Sequence, residues 1–155
     1  TRDSDQTLAD SSATNKKIDD MQKRVKLITD SKAVFTISIH QNSYPDSSVS
    51  GPQVFYYSQS ADGEALASHI QDSLNKQLTP ASPRSVKSND NYYLLKKTPT
   101  PTVIVECGFL SNPDEAARLI DEDYQNKLVR AIYLGAISYL SETNSFTVDR
   151  KLSAI

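Results

Sequence analysis

Cysteine, tryptophan and glycine are scarce in this chain of 155 residues, which has one cysteine, no tryptophan and four glycines. Because Cys107 is the only cysteine, the chain can form no internal disulfide and has no Cys/His zinc-finger spacing. The 17 Lys and Arg residues are balanced by 19 Asp and Glu residues, so a polybasic signature for nucleic acid is also absent. No run reaches the roughly 18 consecutive apolar residues of a membrane span. We therefore expect no nucleic-acid partner and no transmembrane segment in this chain.

The hydrophobic periodicity predicts a single α/β domain. Helical spacing of apolar residues alternates with strand-like runs, which is typical of a mostly parallel or mixed twisted sheet flanked by helices. The predicted helices begin at residue 16, follow a Ser60 or Asp62 cap to residue 78, and cover 113–120 and 123–140. The predicted strands cover 34–39, 54–57, 92–95 and 102–109. Residues 1–15 and 79–91 are predicted to form loops, and residues 141–155 a C-terminal tail.

One helix start has a clear capping pattern. Asn112 is predicted as the N-cap, Pro113 occupies the first helical position, and Glu115 is placed to return the capping hydrogen bond. The acidic residues of this segment are interpreted as caps and solvated positions without chemistry.

Two ionisable residues lie at the ends of predicted strands, His40 after 34–39 and Glu106 within the apolar run 102–109. Ligand sites in open α/β sheets gather beyond the carboxyl ends of strands, so parallel neighbouring strands would bring these side chains together. A carboxylate in this apolar run needs a metal, a base or a hydrogen-bonded partner. The alternatives are a buried ion pair of Glu106 with Arg or Lys, and a half-buried His40 bonded to a backbone carbonyl.

The other reactive side chains are interpreted structurally. Strand alternation directs Cys107 to the face opposite Glu106, where a small buried hydrophobic role is favoured over that of a nucleophile. His69 lies within a predicted helix and is interpreted as a surface residue.

Several segments together resemble the zinc-dependent N-acetylmuramoyl-L-alanine amidases of bacterial peptidoglycan. SIHQNS and VECGFLSN, about 65 residues apart, are the most specific, and they look most like the sporulation and germination-specific branch. The segments that carry the resemblance are TRDSD (1–5), Arg24, SIHQNS (38–43), GPQVFYY (51–57), LASHIQ (66–71), VIVECGFLSNPDE (103–115) and YQNKLVRAIYLGAISYL (124–140).

The resemblance implies a site in which two histidines and a glutamate hold Zn²⁺. His40 matches the second histidine ligand, Glu106 the catalytic glutamate, and Asn42 the asparagine that lines the cleft. The family's first histidine and its glutamate ligand lie upstream of the segment that Thr1 and Arg2 match, so neither is expected in this chain. Residues 1–140 therefore resemble the C-terminal two-thirds of one catalytic domain whose first strands are missing.

The implied function is hydrolysis of the amide between N-acetylmuramic acid and L-alanine. Peptidoglycan is then the partner, and the location is extracytoplasmic, in the cell wall or spore cortex of a Gram-positive bacterium. Arg84 in the 79–91 loop either contacts stem-peptide carboxylates or keeps that loop solvated. With one ligand, the chain alone is expected to be inactive without a missing N-terminal segment or an activating protein. The rival interpretations are a non-catalytic or partner-activated peptidoglycan-binding fragment and a hydrolase that depends on Cys107.

Overall fold

The structure is a computed structural model that describes the backbone of residues 7–152 and the side chains of residues 7–143. Its elements in chain order are α1 (Lys16–Ser31), β1 (Thr36–Asn42), β2 (Gln53–Tyr56), α2 (Ala61–Leu78), β3 (Lys87–Ser88), α3 (Tyr93–Lys97), β4 (Thr102–Phe109), α4 (Pro113–Leu119) and α5 (Glu122–Leu152). Among the described residues, no helix is both long and apolar enough to span a membrane.

The strands form one mixed sheet in the order β1-β4-β2-β3. β4 runs parallel to β1 and antiparallel to β2, while β3 runs parallel to β2. All eight residues of β4 are buried, as the unbroken apolar run predicts for a strand covered on both faces. The α/β prediction is therefore confirmed, with β4 inside the sheet and β1 at an edge.

Helices cover both faces of this sheet. The larger core lies under α2 and α5, where alternate β4 side chains such as Val103 and Val105 meet Leu66 and Ile70. A smaller core of buried Phe55, Leu95 and Ile104 lies on the opposite face. Because strand side chains alternate between faces, the second face is the one that carries Glu106.

Helix α5 packs closely on α2 at a glycine. A Cβ at Gly135 would come within 2.5 Å of the Ile70 Cα, which is closer than two such atoms can approach. Gly135 therefore serves the packing of α5 on α2. The helix also continues to Leu152, past the predicted end at residue 140, so most of the predicted tail is helical. Residues 153–155 lie outside the described part.

Two further local predictions are wrong. The predicted strand 92–95 is replaced by the short helix α3, whose Leu94 and Leu95 are buried. The helical conformation allows both leucines to be buried. The free energy gained by burying them outweighs the local preference of this segment for a strand. The predicted 79–91 loop contains β3, a strand of two residues that pairs with β2. Residues 7–15 lack helix and strand as predicted, while residues 1–6 lie outside the described part.

Only one of the two predicted capping interactions of α4 is present. The Asn112 side chain accepts hydrogen bonds from the backbone N–H groups of Asp114 and Glu115, which confirms it as the N-cap. Glu115 returns no hydrogen bond to Asn112, because its carboxylate is buried and accepts from the N–H groups of Gly51 and Phe109, each at 2.8 Å. It therefore ties the segment before β2 to the end of β4.

Candidate active site

His40 and Glu106 lie side by side near the carboxyl ends of two parallel strands. β1 pairs with β4 in a register that places His40 opposite Glu106 and Ser38 opposite Ile104. Paired residues of parallel strands point to the same face of the sheet, so the imidazole and the carboxyl group share one face. The arrangement that the two strand-end motifs predict is therefore present.

Glu106 is a buried carboxyl group with an unpaired oxygen. Its residue is only 6% exposed, and Oε2 has no hydrogen-bond partner within residues 7–143. In that part of the chain no Lys or Arg forms an ion pair with it, so the ion-pair alternative is not observed. Burial raises the pKa of Glu106 above the usual value of 4.5. A raised pKa makes the ionised carboxylate a stronger base than an ordinary glutamate.

His40 lies at the exposed sheet edge, and its imidazole remains available for a ligand. Nε2 lies 2.9 Å from the Ser38 Oγ, so the ring bonds a side-chain hydroxyl and not the backbone carbonyl of the structural alternative. Partial desolvation and the nearby Arg24 guanidinium lower the pKa of His40, which favours the neutral form. Neutral imidazole is the form that coordinates metal ions.

Asn42 follows a register irregularity at the end of β1. The pairing shifts between His40 and Asn42, which then lies opposite Phe109. The Asn42 side-chain oxygen accepts a hydrogen bond from the Ser43 N–H at 2.8 Å, and its carbonyl accepts one from the Leu110 N–H. Asn42 therefore stabilises the turn that leaves the strand, and its contact with substrate stays a prediction.

Arg84 anchors its loop. Its Nε donates a hydrogen bond to the Ser50 carbonyl at 2.7 Å, and its guanidinium lies 4.9 Å from the centre of the Phe109 ring. These contacts hold the 79–91 segment against the end of β4. This anchoring role was not among the two predicted alternatives, and substrate binding by Arg84 stays a prediction.

Cys107 has the environment of a structural residue. It is buried in the core under α2 and α5, on the face opposite Glu106. Burial and the Glu106 charge raise the pKa of its thiol to about 11, so the thiolate is scarce at neutral pH. The structure therefore opposes the interpretation of Cys107 as a nucleophile.

Sequence reasoning missed Tyr92, which borders the site face. Its ring packs edge-on against Phe55, with ring centres 5.7 Å apart. The preceding Asn89 could have indicated a turn, because its side chain accepts hydrogen bonds from the N–H groups of Asn91 and Tyr92. The aromatic and apolar run 92–95 suggested a strand instead.

The described residues supply part of a zinc site. The unpaired Glu106 oxygen and the neutral imidazole of His40 suit a metal-dependent hydrolytic centre in their chemistry. Catalytic zinc needs three protein ligands, however, and residues 7–143 contain no cluster of three His, Cys, Asp or Glu side chains that could hold a metal. His40 can therefore act as one ligand, and the set is incomplete within this part of the chain.

Comparison with solved structures places the fold among peptidoglycan amidases. The CwlD amidase from Clostridioides difficile, solved in complex with the GerS lipoprotein, matches with a TM-score of 0.86 and 37% identity over 90% of this chain and 73% of that one. An N-acetylmuramoyl-L-alanine amidase from Clostridium difficile 630 matches with a TM-score of 0.74 and 30% identity, over 78% and 65% of the two chains.

Sequence comparison gives the same class. Residues 1–138 match the family model described as N-acetylmuramoyl-L-alanine amidase, and the chain belongs to this family. It is 40% identical over 145 residues to the germination-specific N-acetylmuramoyl-L-alanine amidase of Bacillus subtilis, which covers 92% of this chain and 61% of the relative. The amidase LytC of the same organism is 33% identical over 77% of this chain and 24% of its own length. The chain thus spans less than two-thirds of these two relatives.

Proposed function

We propose that this chain forms part of an enzyme that hydrolyses the amide bond between N-acetylmuramic acid and L-alanine in peptidoglycan. The observation that carries the proposal is the buried carboxyl group of Glu106, which is in register with His40 and whose Oε2 has no hydrogen-bond partner within residues 7–143. Family membership supports the same reaction.

Glu106 acts as the general base in this proposal. It accepts a proton from the attacking water and returns it to the leaving nitrogen, and its raised pKa makes the carboxylate a stronger base for the first transfer. His40 is one ligand of Zn²⁺, which when bound lowers the pKa of its water to about 7 and polarises a carbonyl. Partial desolvation and the nearby Arg24 charge lower the pKa of His40, which favours the neutral, ligating form of the imidazole.

The remaining ligands come, in this proposal, from a further segment or from a partner protein. The edge of β1 supports it, because within residues 7–152 β1 is the terminal strand of the sheet and Ile39 on it is 57% exposed. An unpaired strand edge is a template for another strand. The C. difficile relative was solved with a protein partner, which is consistent with assembly of this kind.

An exposed apolar flank of α5 also supports completion of the site by a further segment or a partner protein. Val129, Tyr133 and Ile137 recur every fourth residue and are all exposed. With about 100° between successive residues, they lie on the flank opposite the α2 contact at Gly135. These exposed apolar side chains could pack against an added segment.

We place the reaction outside the cytoplasm, in the cell wall or spore cortex of a Gram-positive bacterium, with peptidoglycan as the substrate. The names of the Bacillus subtilis relatives support this placement. The finer assignment to cortex peptidoglycan during germination rests on the relative named as germination-specific.

The test measures zinc binding and hydrolysis by the purified full chain with its upstream segment or partner. Glu106→Gln should lower the hydrolysis rate by about 10²- to 10⁴-fold while zinc affinity is retained. His40→Ala should lose zinc and activity together. His69→Ala is the matched control, because His69 bonds Glu142 and Ser138 on α5 and should leave zinc binding unchanged.

Full activity of Glu106→Gln, or unchanged zinc affinity of His40→Ala, would contradict the proposal. A second candidate is a non-catalytic peptidoglycan-binding fragment, favoured by the incomplete ligand set within residues 7–143. Binding of muramoyl peptide without hydrolysis, even when zinc and the upstream segment are supplied, would identify that candidate.

A further inference from the structure

Tyr92 lies over the sheet face that carries Glu106. On β2, Phe55 pairs with Ile104 of β4, and Gln53 pairs with Glu106. Phe55 therefore occupies the same-face position next to that of Glu106, about 7 Å along the strand. Because the Tyr92 ring packs against Phe55, it borders the site on the β2 side, while His40 borders it on the β1 side.

The backbone of Tyr92 is firmly held. Asn89 donates its N–H to the Tyr56 carbonyl at 2.8 Å, and its side chain accepts from the Tyr92 N–H at 2.9 Å. The neighbouring Asp90 carboxylate accepts a hydrogen bond from the Ser58 hydroxyl. These bonds tie the start of α3 to the end of β2, so the ring is positioned in advance of any ligand.

The Tyr92 hydroxyl is a hydrogen-bond donor on the sheet face that carries Glu106. Within residues 7–143 it forms no hydrogen bond, although the residue is partly buried. Desolvation and then the charge of Glu106 raise the pKa of Tyr92, so the phenol keeps its proton. The core contact with Phe55 uses only the ring and gives the hydroxyl no structural function.

We propose that Tyr92 is a substrate-contacting residue whose hydroxyl donates a hydrogen bond to an acceptor oxygen of the bound muramoyl peptide beside Glu106. This inference rests on the proposed function. The acceptor oxygen belongs either to the saccharide or to the peptide side of the scissile amide, and the two sources are separable by experiment.

The experiment measures binding and turnover of N-acetylmuramoyl-L-alanyl-D-isoglutamine with the full chain and its completing segment or partner. Tyr92→Phe removes only the hydroxyl, and Tyr93→Phe is the matched control at the next, exposed position. Binding is measured by calorimetry in the Glu106→Gln background, where the ligand stays intact. We expect Tyr92→Phe to weaken binding about tenfold, as for one lost hydrogen bond, and to raise KM in the Glu106 protein.

Two smaller probes identify the source of the acceptor oxygen. If it belongs to the saccharide, Tyr92→Phe weakens binding of N-acetylmuramic acid, and if it belongs to the peptide, it weakens binding of L-alanyl-D-isoglutamine. Unchanged affinity and unchanged KM in Tyr92→Phe, an equal loss in Tyr93→Phe, or no binding by the Glu106→Gln protein would overturn the inference. Failure of the proposed function is a separate readout, namely no amide cleavage by the zinc-supplied Glu106 protein.

Discussion

Glu106 and Glu115 are two buried glutamates near the end of β4, and their environments are opposite. Both are almost fully buried, at 6% and 4% exposure. Glu115 accepts two backbone hydrogen bonds and links Gly51 to Phe109. Glu106 has an oxygen with no partner among the described residues. The first carboxylate is part of the structure, whereas the second is costly to the fold and available for chemistry.

Burial alone therefore does not indicate whether a glutamate has a structural or a chemical role. A buried carboxylate whose oxygens are satisfied stabilises the segments that it connects. A buried carboxylate without partners lowers stability, and proteins keep such groups mainly where the group has a function. The same substitution at the two positions should therefore have opposite effects on the free energy of unfolding.

The largest expected change comes from Glu115→Met. The side chain keeps its approximate volume, but the N–H groups of Gly51 and Phe109 lose their acceptor. We expect a loss of about 3 kcal/mol in the free energy of unfolding, since two bonds to a charged group disappear. Urea denaturation measures this, and Asp114→Asn at an exposed position is the control. A loss below about 1 kcal/mol would mean that water satisfies these groups.

Glu106→Met should raise the free energy of unfolding, whereas Glu115→Met should lower it. It removes a desolvated carboxyl group without breaking a hydrogen bond that the structure shows, so we expect a gain of about 2 kcal/mol at neutral pH. The measurement is urea denaturation of metal-free protein. A destabilisation comparable to that of Glu115→Met would show that Glu106 has structural partners and would remove the contrast.

The pH dependence of that gain gives an independent check. Because the pKa of Glu106 is raised in the folded state, the folded protein holds this proton to higher pH than the unfolded chain does. The unmodified protein therefore loses stability as pH rises from the unfolded value of 4.5 through the raised folded value. The advantage of Glu106→Met should disappear below pH 4.5 and be complete above the folded pKa. A gain in the free energy of unfolding that does not change with pH would indicate that methionine stabilises the protein through better packing instead.

The smallest change is expected from Cys107→Ala, next to Glu106 but on the other face. It should cost about 1 kcal/mol of stability through a small cavity. Zinc binding and the hydrolysis rate should stay unchanged, and thiol alkylation should leave native protein active, because the thiol is buried with a pKa of about 11. If the Cys107→Ala protein had native stability but no activity, the hypothesis that Cys107 is the nucleophile would be supported.

The central elements could be predicted because their signals are strong and local. The unbroken apolar run of β4 and the alternation of β1 placed His40 and Glu106 at strand ends, and the parallel register then brought them together. The Asn112 cap could also be predicted, because the capping side chain and the start of the helix are close in sequence. In each case the deciding contacts are close in sequence or follow from strand periodicity.

The missed features depend on contacts between distant segments. Glu115 bonds Gly51, 64 residues away, so capping rules could not reveal its role. Helix α3 has five residues and exists because Leu94 and Leu95 reach the core, which local propensity cannot show. The position of Tyr92 over Phe55 follows from that helix.

The most direct test is the titration of the Glu106 carboxyl carbon by ¹³C NMR in metal-free protein, assigned by comparison with Glu106→Gln. We expect a midpoint above 4.5, the usual value for glutamate, because the carboxyl group is buried and its Oε2 has no hydrogen-bond partner within residues 7–143. A midpoint at or below 4.5 would mean that the carboxylate is solvated or paired, which would contradict its proposed role as the poised base.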